Sequence, residues 1–429
     1  MAQLHVGEGV TDITAPEGLE LSGFHRPPGK ERRVSGIRDK CFARCLAIRV
    51  GDQAAFIVSL DLCAISREWA DRIRIDAGQA LGVPATAIQI GVTHSHSTPA
   101  GTFFRQWGAM STHYMAWIAK ASIEAMKKAK ADLAEAECYH GHATVIGGSF
   151  NRTSKSWKTE DAFQQDASDD DRWLDRKLQV LHFMRARPKR DLCWYHFSAH
   201  PVCYTDTLAG PDWVGHINAL AAEDHGLNVA FLQGHCGDVN PGNGDPWIGR
   251  PDQVTDAIYP GFTHALHHAQ RVKVDRLSIL DGPVDLPFNI PLLDDEQRRY
   301  AADPEKTVWV DPGFTRDWAQ AMKAWPKHKD TYRMPMVAMQ LGPFGILFHG
   351  SELFSYYGLR IQHDAGFDHT LAVGYTNDFV GYLTDPASHK DKAYAADVVP
   401  KILGFPSFTP DAARHMTAAA TALLKKAAV

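Results

Sequence analysis

Short apolar runs recur along the chain, at residues 43–50, 54–60, 87–92, 178–184, 193–197, 228–232, 277–280, 337–341 and 345–349. They are rich in Val, Ile, Leu and Phe and mostly end at Gly, Asp, Asn or Pro, which is how buried strands read. Between several of them the apolar spacing changes to that of a helix. Residues 68–81 are amphipathic and stop at Gly82, with Pro84 just beyond. Residues 112–133, 211–225 and 263–271 also predict helices. A last helix is expected from Thr409 as N-cap, through Pro410 in the first turn, to Lys426. Strands and helices alternate in places, and elsewhere strands adjoin as hairpins. This predicts an α/β fold of mixed β-sheets flanked by helices. Three polar stretches are expected as surface insertions: 153–175, 242–261, and a charged, Trp-bearing segment at 293–333 that predicts a helical pair. No repeat or low-complexity linker interrupts the pattern. One large catalytic domain over residues 1–429 is expected, with a weak internal seam near 275.

Composition narrows the function classes. The chain has 45 Lys and Arg against 50 Asp and Glu, a formal net charge of -5. A nucleic-acid binder would carry a basic excess, so none is expected as a partner. No run approaches the roughly 18 apolar residues of a spanning helix. The start carries neither a basic n-region nor an apolar h-region, so no signal peptide is visible and a cytoplasmic location is expected. The seven cysteines form no CxxC pair and are read as free thiols. The oligomeric state stays open. Histidine stands out: 22 of 429 residues, more than twice an ordinary share of about 2%.

Five segments could use that histidine for chemistry. Thr93-His94-Ser95-His96-Ser97 follows the strand at 87–92. In an extended backbone two such imidazoles point the same way, at a strand end where α/β sheets keep their sites. This favours a metal and a polar turn about equally. His200, before Pro201, follows the strand at 193–197, whereas His196 lies inside it and is read as a core or supporting group. The third segment is Gln233-Gly234-His235-Cys236-Gly237-Asp238-Val239-Asn240, where Asp238 and Asn240 can orient an imidazole or a ligand. Glu352 follows His349-Gly350-Ser351, as a metal ligand or a helix-terminal charge. Gly374-Tyr375-Thr376-Asn377, running on to Tyr382 and Thr384, says little by itself. His264, His267 and His268 have helical spacing without an adjacent acid and are read as a solvated face. Cys236 is read as a buried small residue rather than a nucleophile.

The order of these five elements resembles the neutral/alkaline ceramidase family, zinc-dependent amidases of N-acylsphingosine. Asp12-Ile13-Thr14-Ala15-Pro16, Leu21-Ser22-Gly23-Phe24, Gly36-Ile37-Arg38-Asp39 and Val58-Ser59-Leu60-Asp61 agree with it as well. The resemblance implies one Zn2+ per chain, held by His94, His200, Glu352 and Tyr382. It implies a proton-moving His96, and an Arg152 facing the substrate carbonyl, from the stretch Phe150-Asn151-Arg152-Thr153. Asp238 falls in the family's Gly-Asp-Val turn.

Two departures qualify it. Asn240 stands where the family has a Ser, so a mechanism with that Ser as nucleophile is closed and one through metal-activated water stays open. The family's additional C-terminal immunoglobulin-like β-sandwich domain is expected to be lacking. The reading is therefore a zinc-dependent hydrolase cleaving an amide, ester or lactone acyl bond of a small or amphiphilic substrate. A metal-bearing binding protein with altered catalysis, or a metal-dependent isomerase or lyase using the same site, are the alternatives.

Overall fold

A computed structural model describes residues 3–326 and 328–428. The larger sheet contains β1 (Leu4–Asp12), β2 (Phe42–Val50), β3 (Gln53–Leu60), β4 (Ile88–Val92), β5 (Ala134–Thr144), β6 (Lys177–Arg185), β7 (Leu192–Phe197) and β8 (Asn228–Gln233). Their spatial order is β8-β7-β6-β5-β1-β2-β3-β4, and β9 (Gln270–Val272) pairs with β5 beside that path. The second sheet runs in chain order through β10 (Leu277–Asp281), β11 (Met336–Leu341), β12 (Phe344–His349) and β13 (His369–Val373).

Side-chain alternation along these strands dictates how the layers stack. In β2, Ala43, Cys45 and Ala47 turn to one face and Leu46, Ile48 and Val50 to the other, and both sets are buried. Strands hidden on both faces need cover on both. One face of the larger sheet packs against α1 (Arg67–Leu81) and α2 (Thr112–Ala131), and farther along against α3 (Trp213–His225) and α4 (Pro251–His267). The other face meets the second sheet: Ile48, Ile57, Phe183 and Trp194 share a core with Val337, Met339, Ile346 and Phe348. The opposite face of the second sheet offers Met336, Ala338 and Leu347 to α7 (Ser355–Asp364) and α9 (Ala412–Ala427). The molecule is thus layered helix, sheet, sheet, helix. Each fully buried Val, Leu, Ile or Phe in these layers contributes about 1.5–3 kcal/mol of burial. The helical pair expected within 293–333 is present as α5 (Ile290–Ala302) and α6 (Pro312–Lys323), joined through Leu293, Trp318 and Met322. The chain passes from the first sheet to the second near residue 275, yet the two sheets share one core.

Several expectations need correcting. β1 was not anticipated, because Gly7 and Gly9 dilute its apolar pattern. Both glycines exist for the contact with α2: a Cβ on Gly9 would lie 1.8 Å from the Ala125 carbonyl oxygen, and one on Gly7 2.1 Å from that of Ala129. Gly9→Ala is therefore expected to separate strand from helix and cost about 1–3 kcal/mol or more, read as a lower denaturant midpoint. β5 also escaped notice, since one of its faces is polar and partly exposed. The stretch 242–261 is not all loop: α4 begins at Pro251 and ends at His267, where a helix over 263–271 was expected. The last helix starts at Ala412, after Asp411, with Thr409 in the preceding turn. The stretch 153–175 is not merely surface. Phe163 and Trp173 are buried against Leu359, and Asp169 accepts bonds from Tyr357 and Arg414. No helix among the described residues is long and apolar enough to cross a membrane.

Within the two sheets three strand pairs run parallel: β3 with β4, β7 with β8, and β12 with β13. The candidate segments leave the C-terminal ends of these strands, the usual place for sites in such sheets. The loop after β13, unreadable in sequence, ties the two sheets together there. Thr376 N–H donates to the His349 carbonyl (2.9 Å), Gly374 N–H to that of Gln233 (3.0 Å) and Asn377 N–H to that of Ile90 (2.8 Å).

Candidate functional site

His94, His200 and Glu352 converge although they come from three separate loops. The Nε2 atoms of His94 and His200 each lie 3.3 Å from Glu352 Oε2, and all three side chains are almost wholly buried. His94 is not in extended backbone as the His-x-His spacing suggested. It has φ of 68°, an uncommon state for a residue with a side chain. Its N–H donates to the Leu62 carbonyl (3.0 Å), which fixes that turn. His96 N–H donates to the Pro201 carbonyl (3.0 Å), pinning the first segment to the one that carries His200. Glu352 N–H donates to the Gly381 carbonyl (2.8 Å), and residues 352–353 pair in parallel with residues 382–383, so Tyr382 sits beside Glu352.

The outer ring nitrogens decide what this cluster can hold. His94 Nδ1 lies 2.6 Å from the Cys63 carbonyl oxygen, and His200 Nδ1 2.9 Å from that of Val239. A carbonyl only accepts, so each Nδ1 carries a hydrogen, and in the neutral ring each Nε2 is the atom left to bind an ion. Two imidazole lone pairs and a carboxylate oxygen then face one point, and His200 Nε2 and Glu352 Oε2 have no hydrogen-bond partner. These three groups could hold a metal ion, and two imidazoles with a carboxylate fit zinc. Burial works against charge on His94, yet Cys63 and Glu352 raise its imidazole to about 10. Burial would also raise the Glu352 carboxyl, but the two imidazoles hold it at about 2. Burial, with Arg152 nearby, lowers His200 to about 4.

The remaining expected residues surround this point. His96 Nε2 lies 3.2 Å from His94 Nε2. Burial, reinforced by His94 and His200, keeps its imidazole well below the usual range. Its Nδ1 has no hydrogen-bond partner. Arg152 spends three of its N–H donors within the protein. Its Nη2 donates to the Tyr382 hydroxyl and the Gly237 carbonyl, each at 2.7 Å, and its Nη1 to Asn240 Oδ1 at 3.2 Å. Asn240 also donates to the Trp247 carbonyl (2.7 Å). It therefore works as a prop for Arg152. Asp238 touches none of the three convergent side chains. It accepts from Asn151 Nδ2 and from Ser355 N–H and Oγ, each at 2.7 Å, and so ties the turn to α7 and to the Asn151–Arg152 segment. Gly237 has to be glycine here, since a Cβ would lie 2.5 Å from the Glu352 carbonyl oxygen.

Other readings are settled by placement. His264, His267 and His268 are exposed on α4, as a solvated face would be. His196 is buried in β7, 3.0 Å from the Ala372 carbonyl oxygen. Cys236 is buried against the Tyr375 hydroxyl at 3.0 Å. All seven cysteines are free and buried. Asp61 is structural, accepting from Phe42 N–H (2.8 Å) and Arg44 (2.7 Å). Two features escaped the sequence. Cys63 joins His94 and His96 in a second, overlapping group of potential ligands; its position just past β3 was the available signal. The other is an apolar wall. A cavity of about 40 Å3, room for a few waters, is lined by His94, His96, Glu352 and Tyr382 on one side. Phe104, Trp107, Phe379, Val399 and Ile402 line the other, the last two from α8 (Tyr394–Leu403). These side chains are far apart in sequence and carry no local motif.

The site is thus a metal-fitting triad at the strand ends of a layered α/β fold. The chain belongs to the neutral/alkaline non-lysosomal ceramidase family, whose N-terminal profile matches residues 4–253. Its fold is similar to that of the neutral ceramidase from Pseudomonas aeruginosa, with a TM-score of 0.76 at 17% identity over 99% of this chain and 74% of that one. It is also similar to a structure described as ceramidase complexed with C2, with a TM-score of 0.74 at 18% identity over 100% of this chain and 75% of that one. Among curated proteins none matches the chain by sequence.

Proposed function

We propose that this protein is a zinc-dependent hydrolase of an acyl bond, an amide first and an ester or lactone second, in a small or amphiphilic substrate. The observation that carries the reading is the convergence of His94 Nε2 and His200 Nε2 on Glu352 Oε2, each nitrogen 3.3 Å from that oxygen. Tyr382 completes the proposed ligand set. Burial pushes the Tyr382 hydroxyl well up, and Arg152, bonded to it, offsets part of that rise. When bound, zinc supplies Lewis acidity toward the substrate carbonyl and a lowered pKa for water.

The chain's own residues do the rest. The apolar wall of Phe104, Trp107, Phe379, Val399 and Ile402 takes the acyl part and excludes bulk water. His96, kept neutral by its surroundings, has a ring nitrogen free to accept the proton of the attacking water. It then returns that proton to the leaving nitrogen or oxygen. Asn240 and the Gly237 carbonyl hold Arg152 behind Tyr382, so the phenol oxygen stays fixed as charge develops. Asp238 keeps the Gly237 turn and α7 in register. Asn240 offers no hydroxyl, so no acyl-enzyme forms there.

The test is metal analysis combined with a hydrolysis screen. We expect about one zinc per chain and release of amine from short N-acyl amides. Protein that takes up no zinc from a zinc-supplemented buffer would refute the reading. Zinc-loaded protein that turns over none of the amides, esters or lactones would favour a binding protein.

A further inference from the structure

A second cavity, about 210 Å3, adjoins the first: Phe104 lines both. Arg32 and Arg26 line it together with Glu20 and Glu31. Arg32 is only 4% exposed, and no carboxylate lies within ion-pair distance of it among the described residues. Its Nε donates to the Asp206 carbonyl (2.9 Å), and its Nη1 to the carbonyls of Ser22 (3.2 Å) and His96 (3.1 Å). Its Nη2 has no partner. The nearest acid, Asp206, gives its carboxylate to Arg38. Arg26 donates to the His25 carbonyl (2.7 Å) and likewise has no ion pair among the described residues. The two acids in the wall are already engaged. Glu20 binds Arg33 (2.9 Å) and Ala109 N–H (2.8 Å); Glu31 accepts from Gly29 N–H (2.8 Å) and lies 3.8 Å from Arg33.

A buried guanidinium is normally paired, because desolvating its charge is costly without a counterion. Here Arg32 and Arg26 both line a cavity without one, and Arg32 keeps a buried Nη2 with no partner. The geometry points to an anion subsite for a carboxylate carried by the substrate, held by Arg32 and Arg26 next to the proposed hydrolytic centre. Arg32 grips the backbone of His96, whose ring faces that centre. The subsite thus borders the residue whose ring lines the metal-fitting cavity. This deepens the proposed function, on which it rests, by assigning the substrate class: an acyl amide with an anionic end.

Two probes of equal chain length test it, 6-acetamidohexanoate and neutral N-hexylacetamide, titrated calorimetrically into the full-length zinc-loaded protein. The acid is expected to bind about 10- to 100-fold more tightly, the span for hydrogen bonds to charged groups. Arg26→Gln, at a partly exposed position, is expected to shrink that preference about 10-fold; Arg32→Lys, which keeps the charge and loses the fork, is expected to shrink it too. An acid that binds no better than the neutral amide, or not at all at millimolar concentration, overturns the subsite. So does a preference unchanged in Arg26→Gln, since a carboxylate caught by the metal would behave that way. Hydrolysis is scored separately. Cleavage of N-hexylacetamide without acid preference sinks the subsite alone, and acid preference without any cleavage sinks the hydrolase reading alone.

Discussion

His200→Ala is expected to remove zinc and activity together. Bound metal should fall below detection at equal protein and zinc concentrations. The loss of affinity should exceed the roughly 10- to 100-fold typical of groups that only support a ligand. The reason is the geometry. His200 is wholly buried, its Nδ1–H is spent on the Val239 carbonyl, and its Nε2 lies 3.3 Å from Glu352 Oε2. Removing it leaves only His94 and Glu352 of the three convergent groups, 3.3 Å apart. The Val239 carbonyl keeps the His200 N–H (3.3 Å), so the backbone connection survives. Metal content by atomic spectroscopy, with thermal unfolding in chelator as the fold control, is the check. A variant that folds, keeps full zinc and stays active would show that His200 is not a ligand.

The second large effect is expected at His96, with the opposite signature. His96→Ala should keep zinc, since His94, His200 and Glu352 remain. Turnover should drop by about 10²- to 10⁴-fold, the span for a positioned proton carrier. His96 meets the centre through its Nε2, 3.2 Å from His94 Nε2, and edge-on against the His200 ring, and it lines the cavity. A purely structural role would lower zinc occupancy or stability along with rate. A carrier's loss lowers kcat with zinc unchanged. Full activity in His96→Ala would remove it from the mechanism.

The two variants test residues only one position-type apart in sequence terms: a histidine just past a strand. What separates their roles is which nitrogen is already taken. His94 and His200 each give Nδ1 to a carbonyl, whereas His96 has a free Nδ1 and lies beside the triad rather than on Glu352.

Much of the fold was open to reading from the chain alone. Runs buried on both faces, such as 43–50 and 54–60, announced strands covered on each side, and Gly82 with Pro84 marked the end of α1. The order of the segments carrying His94, His200, Glu352 and Tyr382 resembles one family, and that resemblance implied the ligand set. Local pattern also disposed of His264, His267 and His268 correctly. It failed where a residue's reason lies in a distant partner. Gly7 and Gly9 are small because α2 lies against them, which no window along β1 reveals. Arg152 was expected to face substrate. Tyr382, Gly237 and Asn240 claim three of its donors, and those residues lie about 85 to 230 positions away. Sequence by itself determined which chemistry-bearing side chains stand at strand ends, since that depends on local backbone preference. Only the tertiary structure decided which nitrogens face inward, which cations lack a counterion, and how narrow the cavity is, because hydrogen-bond partners and burial are set by packing between segments.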